Sequence, residues 1–395
     1  MNHPWLDRFE QILLVILSGF LFWGNAVSSI AIVSLAILGL IRGGWRAFTN
    51  VRGFILLLPF LILLSSWLAF GVPSDGTREL QLWPTWIAAI LYFSTSTRPE
   101  FFRKSFVLIS ILQAVAGLTF FTFASPIEHA SFSQGFRDAI EAQFHVHPTF
   151  VSVAWFWASV LLLLDFKQNI FQRIWGVAFL VVMASLCGGK MPLIACAAIL
   201  GSMAILKMNS LKYKVATLTG ILVLGIGNVL FNPVLTERFE ELYRVNLDYE
   251  EGQALSSSEL RLGIWNCAIE TTFDNWIFGV GTGNTRAALE ACYEEYDQVE
   301  FFDGEYNTHN QFIHFWLASG IAGLLIILLF FSYMLLTAMR LNIRTLVLFL
   351  LFFILISLTE NYFSRQFGMM FFSLFAANLL FENRHQPSPA NNPSS

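Results

Sequence analysis

A chain of 395 residues that is 56% hydrophobic and only 13% charged is too apolar for a soluble globular protein, in which about a quarter of the residues are charged. Its formal net charge of −4 shows no basic excess, which excludes a typical nucleic-acid-binding protein. The composition instead predicts an all-α integral membrane protein.

The apolar residues fall into segments close to the length that spans a bilayer as a helix. The second and fourth segments are the shortest, and the tenth is long enough to tilt or to project from the membrane. We predict twelve transmembrane helices at 10–26, 28–42, 53–71, 82–96, 104–124, 148–165, 172–187, 190–206, 213–231, 310–338, 343–359 and 364–381. The first resembles a signal sequence, but further spans follow at once, so we interpret it as an uncleaved anchor.

These spans divide the chain into four parts. Residues 1–231 carry spans 1 to 9, residues 232–309 form one large helical loop, and residues 310–382 carry spans 10 to 12. Residues 383–395 have the Pro-, Asn- and Ser-rich composition of a disordered tail.

The Lys and Arg residues predict the orientation, because short cytoplasmic loops of membrane proteins carry an excess of them. With a cytoplasmic N-terminus, every alternate loop is basic, and these loops hold most of the chain's 23 Lys and Arg residues. Both termini and the tail are then cytoplasmic. The 232–309 loop faces outward, as do the 125–147 loop and the turns at 187–190 and 360–365.

The outward loop at 232–309 holds more than half of the chain's 27 acidic residues. Cys267 and Cys292 both lie in it, in a location where a disulfide can form, although the spacing does not show whether they meet. His145 and His147 are the closest histidine pair, but no third ligand stands beside them and no Cys/His spacing fits a metal. We therefore predict neither a metal site nor a cofactor.

Two residues of this loop suggest a chemistry. The SSSE sequence at 256–259 fits a capping box and predicts a helix start, with Arg261 in its early turns and Trp265 four residues further on the same face. A guanidinium grips phosphate oxygens in a bidentate fork, and a histidine such as His309 can take a proton from a hydroxyl. Together they suit glycosyl transfer from a lipid diphosphate. The structural alternative is that Arg261 pairs with a neighbouring Glu and His309 caps the next span.

The GVGTGN sequence at 279–284 looks at first like a dinucleotide-binding fingerprint. No βαβ unit surrounds it, and the last position is Asn, so the pattern gives little support to nucleotide binding. The alternative is a tight turn between two helices of the loop.

The motifs together resemble those of the O-antigen ligase and O-antigen polymerase superfamily of bacterial membrane glycosyltransferases. The resemblance rests on RLGIW at 261–265, GVGTGN at 279–284, and HN at 309–310 followed nine residues later by GIAG at 320–323. Their order in an outward loop between the ninth and tenth spans matches the family, and the likeness covers about 180–325. It implies a GT-C-like fold with about twelve spans in the bacterial inner membrane and an active site facing the periplasm.

The resemblance also implies substrates and roles. The donor would be a glycan on undecaprenyl diphosphate, and the acceptor would be lipid A–core in a ligase or a lipid-linked glycan in a polymerase, with the ligase favoured. Arg261 would bind the diphosphate, and His309 would activate the acceptor hydroxyl in a metal-independent, inverting transfer. The family often has a second arginine after the seventh span, where this chain has Lys190, which keeps the charge but loses the fork.

Other outward residues are weaker candidates for substrate binding. They are Asn310 and Trp265, which belong to the motifs, and His145, His147 and Arg365, which could line the same cavity. Glu360, Asn361 and Gln366 cluster with Arg365 and could equally sit at the membrane interface. Two other functions stay open. A transporter or flippase suits twelve spans, but the spans carry few charges and show no half-repeat. A structural or assembly protein suits the acidic loop but gives Arg261 and His309 no role.

Overall fold

The computed structural model describes residues 4–124, 132–167, 169–207, 210–243, 256–294, 301 and 306–382. The predicted tail at 383–395 lies outside them. The described residues are all-helical, with no β-strand among them. Their α-helices, in chain order, are α1 Pro4–Ser18, α2 Phe20–Ile41, α3 Val51–Phe70, α4 Pro73–Leu80, α5 Pro84–Phe93, α6 Pro99–Ala124, α7 Phe132–Phe144, α8 Pro148–Leu164, α9 Ile170–Leu186, α10 Lys190–Lys207, α11 Leu211–Phe231, α12 Pro233–Tyr243, α13 Ser257–Asp274, α14 Thr285–Tyr293, α15 Gln311–Arg340, α16 Arg344–Ser357 and α17 Gln366–Leu380.

The predicted spans are largely helical, and the all-helical class is confirmed. The first span, 10–26, is instead divided at Gly19 between α1 and α2, so the break between the first two helices lies earlier than predicted. Within the described residues, four helices (α2, α3, α6 and α15) are long and apolar enough to cross a membrane, and a fifth span results if α7 and α8, which meet at 92°, count as one. The helices α9, α10, α16 and α17 are apolar but shorter. The number of twelve crossings and the placement of the loops therefore stay predictions.

Two helices lie where the sequence pattern predicted loops. The first, α4, is eight residues long and starts with a proline at its first turn, where a missing N–H does no harm. The second, α7, ends at a sharp corner formed by His145, whose φ is 52°, before Pro148 opens α8. Both helices are short and polar, so they give no hydrophobic span signal.

Two ion-pair networks tie together helix ends that are predicted to be cytoplasmic. The Arg42 guanidinium binds Glu10 of α1 through Nη2 at 2.8 Å, and the Tyr92 hydroxyl donates to the same carboxylate at 2.7 Å. Arg103 of α6 is buried and donates to Asp165 and Glu382. A buried charge is tolerated only with such partners, so both networks fix how the helices pack.

The long helix α15 is broken in its N-terminal third. Ser319 and Gly320 leave helical geometry, with φ of −136° and 64°. The glycine-rich turn at 279–284 fills the break, because the N–H groups of Val280 and Gly281 donate to the freed carbonyls of Leu317 and Ala318 at 2.8 and 3.2 Å. Of the two interpretations of GVGTGN, the structure supports the tight turn.

The turn also contacts the corner between α3 and α4. Thr282 donates its N–H to the Ser66 hydroxyl at 3.1 Å, and the Asn284 side chain donates to the Phe70 carbonyl at 2.7 Å. The backbones approach so closely that a Cβ on Gly283 would lie 2.5 Å from the Gly76 nitrogen. The outward loop is therefore clamped onto two of the candidate spans.

A small core separate from the main one holds the loop helices together. Ile264, Ala268 and Leu289 are fully buried and pack α13 against α14 and the start of α15. Cys267 and Cys292 form a disulfide between α13 and α14, with their Cα atoms 5.7 Å apart. The candidate disulfide is thus present, and it braces the helix that carries Arg261.

Candidate active site

Several of the predicted site residues lie at or near the starts of helices. Arg261 and Trp265 stand on α13, Lys190 is the first residue of α10, and His309 precedes α15. The capping box predicted for α13 is confirmed, since the Ser256 hydroxyl accepts from the Glu259 N–H at 3.3 Å and the Glu259 carboxylate accepts from the Ser256 N–H at 2.8 Å. The cap fixes where the helix begins, and so which way Arg261 points.

Lys190 and Arg261 are brought together through Ser258. The Lys190 ammonium donates to the Ser258 hydroxyl at 3.0 Å. Ser258 lies one helical turn before Arg261, and residues three apart share a helix face. Lys190, which stands where the family often has a second arginine, therefore lies near Arg261.

Arg261 has an uncommon environment for a guanidinium. Its Nε is buried without a hydrogen-bond partner, and no ion pair joins it to any residue in the described part of the chain. The structural alternative, a pair with a neighbouring glutamate, is therefore wrong within these residues. A partly buried arginine with unused donors is poised for an external anion such as phosphate.

His309 is held by three contacts. Its ring Nδ1 lies 3.2 Å from Glu360 Oε2. Its backbone N–H donates to Asn307 Oδ1 at 3.0 Å, and its backbone carbonyl accepts from Trp265 Nε1 at 3.4 Å. Because an ionised carboxylate only accepts hydrogen bonds, we assign a proton to Nδ1, which donates to Glu360. In the neutral ring, Nε2 is then left as the proton acceptor. The His309 side chain does not cap α15. That cap is Asn310, whose Oδ1 accepts from the N–H groups of Phe312 and Ile313.

Glu360 is ionised at any physiological pH. Burial alone would raise the pKa of this carboxyl, but the hydrogen bond from His309, the charges of His309 and Arg261, and the Asn361 N–H together lower the pKa to about 2. A carboxylate beside a histidine ring stabilises the imidazolium that forms when the histidine takes up a proton. The geometry is therefore that of a base with its orienting group.

The turn that carries Glu360 is itself fixed. Thr308, next to His309, is buried and hydrogen-bonded to the Asn361 side chain. The Phe363 N–H donates to Gln311 Oε1 at 2.8 Å. Both contacts join the start of α15 and the residue Thr308 before it to the loop between α16 and α17. They therefore hold His309 and Glu360 close to each other.

The remaining candidates lie around this centre. His147 caps α8 through its Nδ1, and the charges of Glu360 and Arg261 both act on it, so it lies close to the centre. His145 and Arg365 are exposed, and within the described ranges neither forms a hydrogen bond or ion pair with another candidate. Asn310 has its side-chain oxygen engaged in the cap. A binding role for these four residues stays a prediction.

The sequence pattern missed two contributors. The sequence groups Glu360 with Arg365 as an outward residue that could equally sit at the membrane interface, but it does not predict the contact with His309, which is 51 positions away. Arg137 of α7 was not singled out, yet its Nη1 donates to the Cys187 carbonyl at 3.1 Å, in the turn that leads to Lys190, and its charge acts on His147. No local pattern reveals either contact, although the outward positions of both residues follow from the predicted topology.

Residues 153–328 match the family model described as O-antigen ligase. This match supports membership of the O-antigen ligase superfamily. No curated protein matches the chain. The matched segment of the chain runs from α8 into α15 and contains Lys190, Arg261 and His309. Glu360 lies beyond it. Family and apolar helices together indicate a membrane protein with a ligase- or polymerase-type role in glycan transfer and with lipid-linked glycans as substrates.

Proposed function

We propose that this protein is a glycosyltransferase of the bacterial inner membrane whose active site faces the periplasm. It moves a glycan from undecaprenyl diphosphate to an acceptor hydroxyl. The acceptor that we favour is lipid A–core, which makes the reaction O-antigen ligation. The observation that carries the proposal is that Trp265 links the backbone of His309 to the helix of Arg261. The His309 ring contacts a carboxylate, and the buried Nε of Arg261 has no hydrogen-bond partner within the described part of the chain.

The reaction is a single displacement at the anomeric carbon. The acceptor oxygen forms the new bond as the bond from the anomeric carbon to the diphosphate oxygen breaks, and the configuration inverts. His309 Nε2 takes the hydroxyl proton, which makes the oxygen nucleophilic at the moment of attack. Glu360 keeps the ring oriented through Nδ1 and stabilises the imidazolium.

The leaving diphosphate needs positive charge, because its oxygens gain negative charge as the bond breaks. Arg261 has an unused donor for these oxygens at its Nε. Lys190 binds Ser258, which lies one helical turn before Arg261. Fixed cations aimed at the developing charge act as preorganised electrostatic catalysts. We propose that they take the place of a divalent cation.

The decisive experiment uses purified protein with lipid-linked donor and acceptor. His309→Ala is expected to bind the donor with near-normal affinity and to lose about 100- to 10,000-fold in transfer, the usual contribution of a general base. His385→Ala, in the predicted tail, is the matched control and should transfer normally. A fully active His309→Ala protein would remove the base assignment and turn attention to His145 and His147.

Two further measurements refine the proposal. Transfer should persist in EDTA, and activity that EDTA abolishes and Mg²⁺ or Mn²⁺ restores would contradict a metal-independent mechanism. A deletion strain separates the two glycan-transfer functions. Loss of all long chains from lipid A–core, with lipid-linked polymer accumulating, indicates a ligase. Single-repeat chains on lipid A–core indicate a polymerase.

A further inference from the structure

The outward loop carries an aromatic surface where its composition predicts only polar groups. At the end of α13 and in the turn after it, the side chains of Phe273, Trp276, Ile277 and Phe278 are 60%, 51%, 47% and 67% exposed. We call these four residues the aromatic edge. Contiguous exposed apolar side chains of this size mark contact sites for a partner or a membrane.

The aromatic edge is continuous with the surface of two candidate spans. The Phe278 ring lies 6.2 Å from that of Phe70, the last residue of α3, and the Phe273 ring lies 5.5 Å from that of Trp316 in α15. Trp316 also donates its Nε1–H to the Trp276 carbonyl at 3.3 Å.

Most of the surface of those two candidate spans is not covered by the described part of the protein. Only 28% of the apolar stretch of α3 and 33% of that of α15 is buried inside the protein. The side chains nearest the outer end of α3 are among the open ones, with Leu68 70% exposed and Phe70 53% exposed. The aromatic edge therefore prolongs a lipid-facing surface.

The edge cannot fold back into the loop. Its backbone is fixed to the break in α15, because the Ile321 N–H donates to the Trp276 carbonyl at 2.8 Å. A Cβ on Gly320 would lie only 2.0 Å from the Ile277 carbonyl oxygen, so the two backbones are in direct contact. The four side chains are thus presented outward on a rigid support.

The neighbouring side of α13 is polar. Asn266, Glu270 and Asp274 are exposed, and their spacing of four places them in one row along the helix. Ile269, 43% exposed, and Phe273 form an adjacent apolar row. A helix end with one polar and one aromatic row suits the boundary between lipid and water, where Trp and other aromatic residues concentrate.

We propose that the aromatic edge inserts into the outer leaflet of the bilayer and anchors α13 to the membrane surface. The occupant is bulk phospholipid, in the zone where acyl chains meet headgroups. Arg261 lies twelve residues before Phe273 on the same helix, about 18 Å along its axis at 1.5 Å per residue. The anchor would hold the arginine at a fixed distance from the bilayer, where, if the proposed function holds, a lipid diphosphate lies.

The test places a fluorescent probe on the edge in phospholipid nanodiscs. Cys187 and Cys196 are buried and the other two cysteines are bonded to each other, so a thiol-reactive NBD dye labels an introduced cysteine selectively. Phe278→Cys and Ile277→Cys carry the probe at the edge, and two positions guard against a variant that fails to fold. Glu270→Cys, on the polar row of the same helix, is the matched control.

Nitroxide-labelled phospholipid should quench the probes at 277 and 278 several-fold more strongly than the probe at 270. Aqueous iodide should give the reverse order. Edge probes quenched by iodide and not by the lipid nitroxide would overturn the proposal, and so would edge probes shielded from both, which would mean that protein covers the edge. The measurement needs neither donor nor acceptor, so its outcome is independent of the proposed transfer reaction.

Discussion

His309 has a left-handed backbone, with φ of 42°. This conformation costs a residue other than glycine roughly 1–2 kcal/mol and persists only where the surroundings impose it, often at functional sites. Here the surroundings are Asn307 on its N–H and Trp265 on its carbonyl. Trp265 therefore acts on the backbone of the proposed base, which gives the tryptophan of the family motif a positioning role.

If the guanidinium of Arg261 binds the diphosphate through two N–H donors, a positive charge alone should not replace it. Arg261→Lys keeps the charge but loses a bidentate contact, and a charge-assisted hydrogen bond contributes roughly 1.5–3 kcal/mol. We expect transfer to fall about 10- to 100-fold in steady-state assays. Arg286→Lys on α14, where the arginine pairs with Glu290 at 2.7 Å, is the matched control. Near-normal transfer by Arg261→Ala would eliminate the phosphate role.

Glu360→Gln should lower the rate of transfer. The lowered pKa of Glu360 means that its charge stabilises the folded site above the ordinary value of 4.5, and that this contribution is lost only as pH falls toward 2. The carboxylate is therefore charged across roughly pH 5–8, so its removal should lower the rate throughout that range.

Without the carboxylate, the His309 ring loses a charge-assisted hydrogen bond, so transfer by Glu360→Gln should fall about 10- to 100-fold in steady-state assays. Glu270→Gln, exposed on α13, should leave the rate unchanged. A normal rate for Glu360→Gln would show that Glu360 does not act through His309.

At the level of elements, the clamp between the glycine-rich turn and α15 carries the loop. Gly279→Ala places a Cβ 2.5 Å from the Gly320 nitrogen at a φ of 72°. We expect it to destabilise the protein by at least about 1–2 kcal/mol, measured as a lower melting temperature in detergent. Gly225→Ala in α11, where a Cβ would meet nothing within 4 Å, should not lower it. Equal melting temperatures would mean that the loop is held elsewhere.

The sequence was sufficient for some of these elements and not for others. Local patterns predict the capping box at Ser256 and the helices in the apolar segments, and both are confirmed. The break in α15 could not be predicted, because the N–H groups that satisfy it come from residues about forty positions earlier. The motif likewise identified His309 and Arg261, but the pairing with Glu360 depends on how the last helices pack.

At the scale of the whole molecule, the predicted topology places α13 outside and the loop between α15 and α16 inside. The buried and bonded native cysteines leave an introduced thiol as the reactive one. A membrane-impermeant maleimide should therefore label Glu270→Cys in intact spheroplasts. It should label Asn342→Cys, at the exposed α15–α16 turn, only after permeabilisation. The opposite order of labelling would invert the orientation and contradict a periplasmic site.

The bridge between the two loops at the site has a consequence for biogenesis. Glu360, Asn361 and Phe363 bind residues more than fifty positions earlier in the chain. During synthesis, His309 is made before these partners. The proposed catalytic pair can form only when α16, α17 and the turn between them have joined the fold. No nascent chain stalled before that point carries a complete site, so assembly in the membrane is itself the step that switches the site on.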